Sequence, residues 1–442
     1  MLKLRPRRGI RLPHPAAADL SQQLLLPARL LLPLRHSRLD RSEAVVVAGQ
    51  RVAAGEALSR PLGLCARPVH SPLAGTVARV SVRLVSLPAA RGGAPSGPLP
   101  LPCVELVDLE PRGPGLARAW RQLERGPLAD LLRPWGVEGE ADFPLDLELE
   151  QLPAGSRLLI LAVSPAQPLM DALLDSVPAQ AASAVAALCR LHAFREAVLV
   201  RGPAGKEGAG RLAALLEKVL PVRIVTLDQG HPWDQPRLAA VAAGLPMLEP
   251  GRTVASQGLL ALGLDRLWSL EERLSGGAPG PFWLMLQRLV LRRGLPAASS
   301  HQLLQVWPGT PLRELLAAAG VAEEEQLLAV AGSPFEGSPL LDTEAPLLPG
   351  LRLLSLIPAG SCDTGEERAC ISCGQCLDVC PMRLSPVRLA RLIGEDRLPE
   401  ARDLGLAHCL DCGLCTWICP SRIELGHQLR KGLHLTREAR HG

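Results

Sequence analysis

The chain has 442 residues, of which 47% are hydrophobic and 21% are charged. This length suggests about two to four domains, and the composition excludes a wholly disordered protein. The 48 basic and 44 acidic residues nearly balance and only 2% are aromatic, so nucleic acid is not expected as a partner. No apolar run approaches the ~18 residues that span a bilayer, so we expect any membrane association to be peripheral.

The first residues of the chain are basic, and no acidic residue occurs before Asp19. Such a start is typical of transit peptides, but the following apolar stretch, residues 24–34, is broken by Pro27, Arg29 and Pro33. No clear cleavage site follows. We therefore expect a retained N-terminus and a cytoplasmic protein.

Residues 1–100 are predicted to form a small flattened β-sandwich of the biotinyl/lipoyl type. The pattern of residues 45–58 predicts a strand, a turn and a second strand, with Gly49 and Gly55 at turns. Residues 69–77 have a similar pattern of apolar residues and glycine. No lysine stands where a hairpin tip would carry biotin or lipoate. The pattern favours a scaffold role over group carriage.

Residues 120–295 are predicted to form an α/β, Rossmann-like domain. Residues 157–163 and 197–200 are apolar runs typical of buried parallel strands, and helical patterns cover residues 180–194 and 212–220. The Gly-rich segment 201–210 follows the second strand, but its glycine spacing is short for a phosphate loop. It also has Glu207 where a Ser or Thr is needed. We interpret this segment as a flexible surface turn.

Residues 300–358 are predicted to form a further compact domain. Its helix is expected to begin with Thr310 as the cap and Pro311 at the first position. Gly332, Gly337 and Gly350 are expected to separate short strands.

Eight of the twelve cysteines form two runs with the pattern C-x2-C-x2-C-x3-C-P. Disulfides suit small secreted chains, and zinc sites usually use two CxxC pairs, so both are disfavoured. The doubled run is that of bacterial ferredoxins with two iron–sulfur clusters, in which the fourth cysteine ligates the other cluster. The ligand sets predicted for two [4Fe–4S] clusters are Cys370, Cys373, Cys376 with Cys419, and Cys380 with Cys409, Cys412, Cys415.

A helical twin-cluster ferredoxin domain is therefore predicted for residues 362–435, with a helix over residues 386–393. Trp417 is expected to shield a cluster from water. His408 either tunes the cluster at Cys409 by hydrogen bonding or is an exposed residue without a specific role. Cys65, Cys103 and Cys189 are most simply core residues, and Cys362 fits neither ligand set. His36 and His70 are interpreted as structural.

Together these features resemble the C subunit of the Rnf ion-translocating electron transport complex, also called Rsx. The resemblance covers nearly the whole chain and is strongest in the eight cysteines. Residues 9–13, 70–77 and 332–337 match other motifs of the family. It implies an α+β multidomain fold with an SLBB-like, β-grasp-like domain at 300–358. It also implies a middle domain similar to the flavin- and NADH-binding subunit of respiratory complex I.

The resemblance further implies a peripheral subunit on the cytoplasmic face of the bacterial inner membrane. Such a subunit passes electrons between NADH and ferredoxin, or another redox protein, while its membrane partner subunits move ions. Two alternatives stay open. One is a cluster-carrying scaffold or docking module that has lost NADH and FMN binding, and the other is a soluble iron–sulfur dehydrogenase subunit.

The chain departs from the family at the Gly-rich loop that cradles flavin and nicotinamide phosphates. Residues 136–145 keep only Gly136, Gly139, Phe143 and Pro144 of the family pattern, in a shorter loop. The loop has gained Glu138, Glu140 and Asp142, which read most simply as a solvated acidic loop and would repel a pyrophosphate. Segments 161–168 and 201–210 also depart from the family. We therefore expect weak binding of FMN and NADH.

Overall fold

The computed structural model describes eleven stretches of the chain, and the structural statements that follow concern these residues. Much of the predicted flavin loop, the basic N-terminal segment, His36, Cys65 and Cys362 lie outside them. The described residues are 23–35, 41–63, 66–85, 99–110, 132, 144–227, 230–276, 278–292, 295–322, 326–361 and 365–438.

The first domain is a β-sandwich. Its sheets have the strand orders β2-β7-β6-β4 and β3-β5, with every pair antiparallel. Leu30, Val77 and Leu106 lie in its core, and Gly49 and Gly55 turn the chain with φ of 83° and 84°. Strand β1 (Gln23–Leu25) precedes the sandwich, whose strands are β2 (Leu30–Pro33), β3 (Ser42–Ala44), β4 (Arg51–Val52), β5 (Ser59–Pro61), β6 (Ala74–Val85) and β7 (Leu99–Glu110).

The second domain has a parallel four-stranded sheet with the order β10-β9-β8-β11. Alternate residues of β8 enter different cores: Leu158 and Ile160 face one, Leu159 and Leu161 the other. Both faces are therefore covered, which explains why its strands read as continuous apolar runs and confirms the predicted α/β fold. The strands are β8 (Arg157–Ala162), β9 (Ala197–Arg201), β10 (Val222–Thr226) and β11 (Leu259–Gly263).

Among the described residues of this domain, six helices pack around the sheet. Within the described residues, none is by itself long and apolar enough to cross a membrane; α2 and α3, bent by 85° at their junction, reach that length and hydropathy only when counted together. Both contribute buried residues to the core of the domain. The helices are α1 (Leu145–Glu150), α2 (Gln167–Ser176), α3 (Pro178–Leu191), α4 (Lys206–Leu216), α5 (Pro236–Ala242) and α6 (Leu264–Gly276).

The third domain contains a mixed six-stranded sheet with the order β1-β13-β12-β16-β14-β15. A hairpin, a helix and further strands follow one another, and the first hairpin strand pairs in parallel with the last strand, as in a β-grasp. Strand β1 pairs in parallel with β13 and joins the start of the chain to this sheet. The elements are β12 (Phe282–Arg292), β13 (Leu295–Val306), α7 (Leu312–Ala318), β14 (Leu327–Ala331), β15 (Ser338–Leu340) and β16 (Leu353–Pro358).

Two sequence expectations for this region need adjustment. Strand β12 lies inside the range predicted for the α/β domain, yet it pairs with β13 and β16, so we propose that the third domain begins near residue 282. The prediction that Thr310 caps the helix is wrong. Its hydroxyl donates to the Trp307 carbonyl at 2.8 Å, and α7 begins after Pro311 without a side-chain cap.

The C-terminal domain is helical, as predicted. Helices α9 and α12 pack against each other around a small core that includes Leu389, Ile393 and Leu429. The predicted helix over residues 386–393 is confirmed as α9. The helices are α8 (Gln375–Val379), α9 (Pro386–Gly394), α10 (Leu398–Asp403), α11 (Leu414–Trp417) and α12 (Leu425–Glu438).

Candidate iron–sulfur centre

The two cysteine runs fold alike. Ser372 and Asp411, each just before the second cysteine of its run, have φ of 57° and 52°. Gly374 and Gly413, each just after that cysteine, have φ of 77° and 73° and immediately precede α8 and α11. Left-handed conformations are uncommon outside glycine, so their recurrence at equivalent positions indicates a repeated loop geometry.

This loop geometry directs backbone N–H groups at cysteine sulfurs. The amides of Ser372 and Asp411 lie 3.4 Å from Cys370 Sγ and Cys409 Sγ, respectively. The amide of Leu384 donates to Cys380 Sγ at 3.4 Å. Hydrogen bonds to the charged form of an acid favour that form, so these amides suit thiolates that ligate a metal.

The structure brings Cys380 together with Cys409, Cys412 and Cys415. All four line one small cavity, whose other lining residues include Leu384, Leu414 and Leu429. Burial raises the pKa of the Cys415 thiol to about 12, and repulsion from Cys380 adds to the rise. Burial likewise raises the pKa values of Cys409 and Cys412, with Cys380 again a contributing neighbour.

Four half-buried thiols with raised pKa values are poor thiolates on their own. A bound metal ion reverses this by deprotonating a coordinating thiol outright. Soft sulfur donors around a largely apolar cavity fit an iron–sulfur cluster. The residues of the predicted second set therefore match the group that they are expected to hold.

The predicted first set lies at the surface. Cys370 and Cys373 are exposed, and Cys376 and Cys419 are half-buried. The segment after Cys419 runs beside the segment before Cys370, since the Ser421 hydroxyl donates to the Ala369 carbonyl at 3.0 Å. The Arg368 amide also donates to the Ser421 carbonyl, at 2.9 Å. This pairing brings the last cysteine of the second run toward the first run.

Three residues outside the cysteine runs contact the loop of the second set. His231 Nε2 lies 2.9 Å from the Cys412 carbonyl oxygen, and Gln235 Nε2 donates to the Leu410 carbonyl at 3.3 Å. Phe335 packs edge-to-face on Trp417, with ring centroids 4.9 Å apart. A Cβ on Gly413 would stand 1.8 Å from the Phe335 carbonyl oxygen, so only glycine fits there.

Sequence reasoning missed the roles of His231 and Gln235. They lie about midway along the chain, and no local pattern links them to the cysteines. Phe335 had a signal, because it belongs to the matched motif at residues 332–337. Trp417 was expected to shield a cluster; its ring packs on Phe335 and against the core of the α/β domain.

His231 is buried beside two carboxylates. Desolvation lowers its pKa, but Glu336 and Asp234 outweigh this effect, so the net pKa of His231 is raised above its ordinary value. Nδ1 of the ring lies 3.5 Å from Asp234 Oδ1, and Nε2 lies 3.9 Å from Glu336 Oε2. The carboxylates hold the ring in one orientation.

A cavity of about 210 Å³ opens beside this histidine, where β8 ends. Asp234 and Glu336 line it, together with the ion pair between Asp411 and Arg430 at 2.7 Å. Its walls carry these three carboxylates and also two guanidinium groups, those of Arg430 and Arg352.

In the Gly-rich segment 201–210, backbone carbonyl groups accept hydrogen bonds from the side chain of Arg201. Buried Arg201 directs Nη1 at the carbonyl oxygens of Gly202, Pro203 and Ala204, at 2.7, 3.1 and 3.2 Å. A phosphate cradle presents N–H groups, whereas here the carbonyls of the turn converge on a cation. The turn itself is confined to residues 202–205, since α4 begins at Lys206, so the interpretation of the whole segment as a surface turn is wrong for residues 206–210.

The predicted flavin loop lies mostly outside the described residues. Gly136, Gly139 and Phe143 belong to that part of the chain, and only Pro144 is described. Pro144 is buried and precedes α1, with φ −59° and ψ 130°. Cys103 is buried and Cys189 packs against the α/β core, which agrees with their expected roles.

Comparison with known proteins gives the following similarities. A family model described as "RnfC Barrel sandwich hybrid domain" matches residues 6–92, and one described as "4Fe-4S dicluster domain" matches residues 369–423. A protein from Cronobacter sakazakii, named as the C subunit of an ion-translocating oxidoreductase complex, is 26% identical over 383 residues, covering 83% of this chain and 47% of that protein. Its namesake from Edwardsiella ictaluri is 27% identical over 392 residues, covering 83% of this chain and 45% of that protein.

The chain thus spans about half the length of the curated relatives that it matches. Among solved structures, an NAD+-reducing [NiFe]-hydrogenase in the H2-reduced state is similar with a TM-score of 0.47 and 14% identity. That match covers 74% of this chain and 65% of the hydrogenase chain. Two separate parts of the chain thus match family models, and over most of its length the chain is similar to proteins named as the C subunit of an ion-translocating oxidoreductase complex.

Proposed function

We propose that this chain is a peripheral electron-transfer subunit of an Rnf-type ion-translocating oxidoreductase, with two [4Fe–4S] clusters. The main support is the pair of cysteine runs with equivalent loop geometry and the packing of Cys380 among Cys409, Cys412 and Cys415. The names of the relatives support the assignment to the complex. The proposed ligands are the two predicted sets.

Bound [4Fe–4S] clusters supply one-electron transfer. The protein's part is to hold the sulfurs, to donate amide hydrogen bonds to them and to control access of water. Leu384, Leu414 and Leu429 make the surroundings of the second set apolar. The first set has Ile371 beside it, 67% exposed, so a partner protein can approach the first set closely.

We propose that the partners are membrane subunits of the complex and a ferredoxin or another redox protein. The proposed location is the cytoplasmic face of the bacterial inner membrane, reached through protein contacts. The basic residues before Asp19 would add attraction to anionic lipid. Recovery with membranes when the other subunits are co-expressed tests this location, and free solubility under those conditions contradicts it.

The cluster assignment is tested by anaerobic purification followed by iron and sulfide analysis. We expect about eight irons per chain, as two [4Fe–4S] clusters require. Cys409→Ser is expected to remove the second cluster and leave the first, and Cys370→Ser is the matched variant for the first. Zinc in place of iron would contradict the proposal.

A second candidate function is a cluster-carrying docking module that no longer binds NADH or FMN. Arg201 held by carbonyls and the carboxylates in loop 136–145 favour it. If the chain does not bind NADH, the electrons that its clusters transfer come from another protein. Both functions use the same two clusters.

Calorimetric titration of the flavin-free protein with FMN and with NADH tests cofactor binding. Each carboxylate near a phosphate costs on the order of 1 kcal/mol at surface dielectric, and a lost backbone hydrogen bond adds a similar amount. We therefore expect no binding at micromolar concentrations. Micromolar affinity for either cofactor would show that loop 136–145 still binds cofactor phosphates.

A further inference from the structure

We propose that His231 is a positioning residue that sets the reduction potential of the second cluster through the Cys412 peptide. The inference rests on the proposed ligand set of that cluster. His231 is buried on the segment between β10 and α5, and its Nε2 lies 2.9 Å from the Cys412 carbonyl oxygen. A carbonyl only accepts hydrogen bonds, so Nε2 carries the proton and donates it.

The ring is fixed from several sides. Phe335 stacks on it, with ring centroids 5.3 Å apart and planes 18° apart, and Asp234 lies 3.5 Å from Nδ1. Glu336, from the same loop as Phe335, lies 3.9 Å from Nε2. A ring held in this way keeps its N–H directed at one peptide, which is what a tuning interaction requires.

The contact belongs to a larger clamp on residues 410–413. Gln235, on the same segment as His231, donates to the Leu410 carbonyl, and the Phe335 backbone closes over Gly413. The clamp accounts for the motif at residues 332–337, which the proposed function leaves without a role. It also ties the cluster loop to both the α/β domain and the β-grasp domain.

The direction of the effect follows from charge. Reduction adds an electron to the cluster, and the positive end of the His231 N–H dipole points toward the cluster loop. A donor placed there stabilises the more negative state and raises the reduction potential. Its loss therefore makes the second cluster harder to reduce, with no effect expected on the first.

The test is an EPR-monitored redox titration of the full chain with both clusters bound. His231→Leu removes the donor and His231→Gln keeps an amide N–H. His192→Gln is a control in the same domain, at the end of α3 and outside the loop that contacts residues 410–413. The Cys409→Ser spectrum identifies the signal of the second cluster. For His231→Leu we expect about a tenfold smaller equilibrium constant for one-electron reduction of that cluster, which is about 59 mV.

His231→Gln is expected to restore most of the wild-type potential, which packing alone does not explain. An unmoved potential in His231→Leu, or an equal shift in the Leu and Gln variants, overturns the proposal. If the His231→Leu protein does not retain the second cluster, the His231→Asn protein is titrated instead. The asparagine side chain is too short for its amide to reach the Cys412 carbonyl. A wild-type potential in the Asn variant then overturns the proposal.

The results that contradict the proposed function differ from those that contradict the role of His231. Wild-type protein with zinc, or with only about four irons, contradicts the ligand sets before any variant is compared. Two intact clusters with unmoved potentials contradict only the role of His231.

Discussion

Single residues decide how the two cysteine runs differ. Gly374 and Gly413 occupy equivalent positions with nearly equal φ, but a Cβ on Gly374 meets nothing within 4 Å, whereas one on Gly413 meets the Phe335 carbonyl. Ligand spacing is a local property of the chain, so the two ligand sets could be proposed from the sequence alone. The close contact with Phe335 depends on tertiary packing, which spacing does not encode.

This pair of glycines gives a matched experiment. Both Gly374→Ala and Gly413→Ala pay about 1–2 kcal/mol for a left-handed alanine, but only Gly413→Ala must also displace Phe335. We expect Gly374→Ala to keep both clusters and Gly413→Ala to lose the second. Iron content and thermal unfolding of the two purified proteins measure the difference, and equal behaviour would contradict the packing explanation.

A second prediction concerns Glu105 in the β-sandwich and its arginine partners. Burial alone raises its pKa, but hydrogen bonds from Arg79 and Arg29 outweigh this, and the net pKa lies below the ordinary 4.5. A carboxyl with a lowered folded-state pKa adds stability above its unfolded pKa, and this stability is lost as the pH falls through the folded pKa.

The contribution of Glu105 is therefore expected to be complete near neutral pH and to disappear below pH 4.5. Glu105→Gln should be less stable than wild type near neutral pH and should approach it in acid. Urea unfolding across this pH range measures the difference. A constant difference at all pH values would show that the ion pairs contribute nothing.

At the scale of elements, sequence patterns predicted the strands that are buried on both faces of their sheet. The runs that became β8 and β9 were predicted because no polar residue interrupts them. Strand β12 is interrupted by Gln287 and Arg288, and its local pattern does not tell which sheet it joins; its pairing with β16 more than 60 residues later decides this. His231 was missed for the same reason, since its partner Cys412 lies 181 residues away.

A buried ion pair joins the sandwich to the first helix of the α/β domain. Arg67 and Asp146 are each 1% exposed, and Arg67 Nη2 lies 2.6 Å from Asp146 Oδ2. Arg67→Met leaves a buried carboxylate without this partner and is expected to cost about 3–5 kcal/mol of unfolding free energy. Denaturant unfolding measures this loss.

The double variant Arg67→Met, Asp146→Leu is the control. Replacing both charges by apolar residues is expected to recover most of the loss, because no charge stays buried. A double variant as unstable as the single one would mean that packing rather than charge is responsible.

For the whole molecule, the main feature is the unequal burial of the two cysteine sets. The first set has two exposed cysteines and lies beside exposed Ile371, whereas all four cysteines of the second set are half-buried and their loop contacts residues of two other domains. Sequence repetition predicted two equivalent sites and gave no sign of this inequality, because burial depends on how the domains pack. The inequality gives the two proposed sites different access to solvent.

Iron loss to a chelator should therefore occur in two phases. About half of the iron is expected to leave quickly from the more exposed first set and the rest more slowly from the second set. Cys370→Ser should retain only the slow phase and Cys409→Ser only the fast phase, as followed by absorbance and iron analysis. A single phase in wild-type protein would contradict the assignment of burial to the two sites.

The parallel pairing of β1 with β13 has a consequence for protein engineering. Strand β1 covers an edge of the six-stranded sheet, and an uncovered edge offers free backbone donors and acceptors to other chains. Trimming the chain past Leu25 would leave β13 as the new edge. A shortened protein of this kind risks self-association through strand addition, so affinity tags are better joined ahead of β1 than substituted for it.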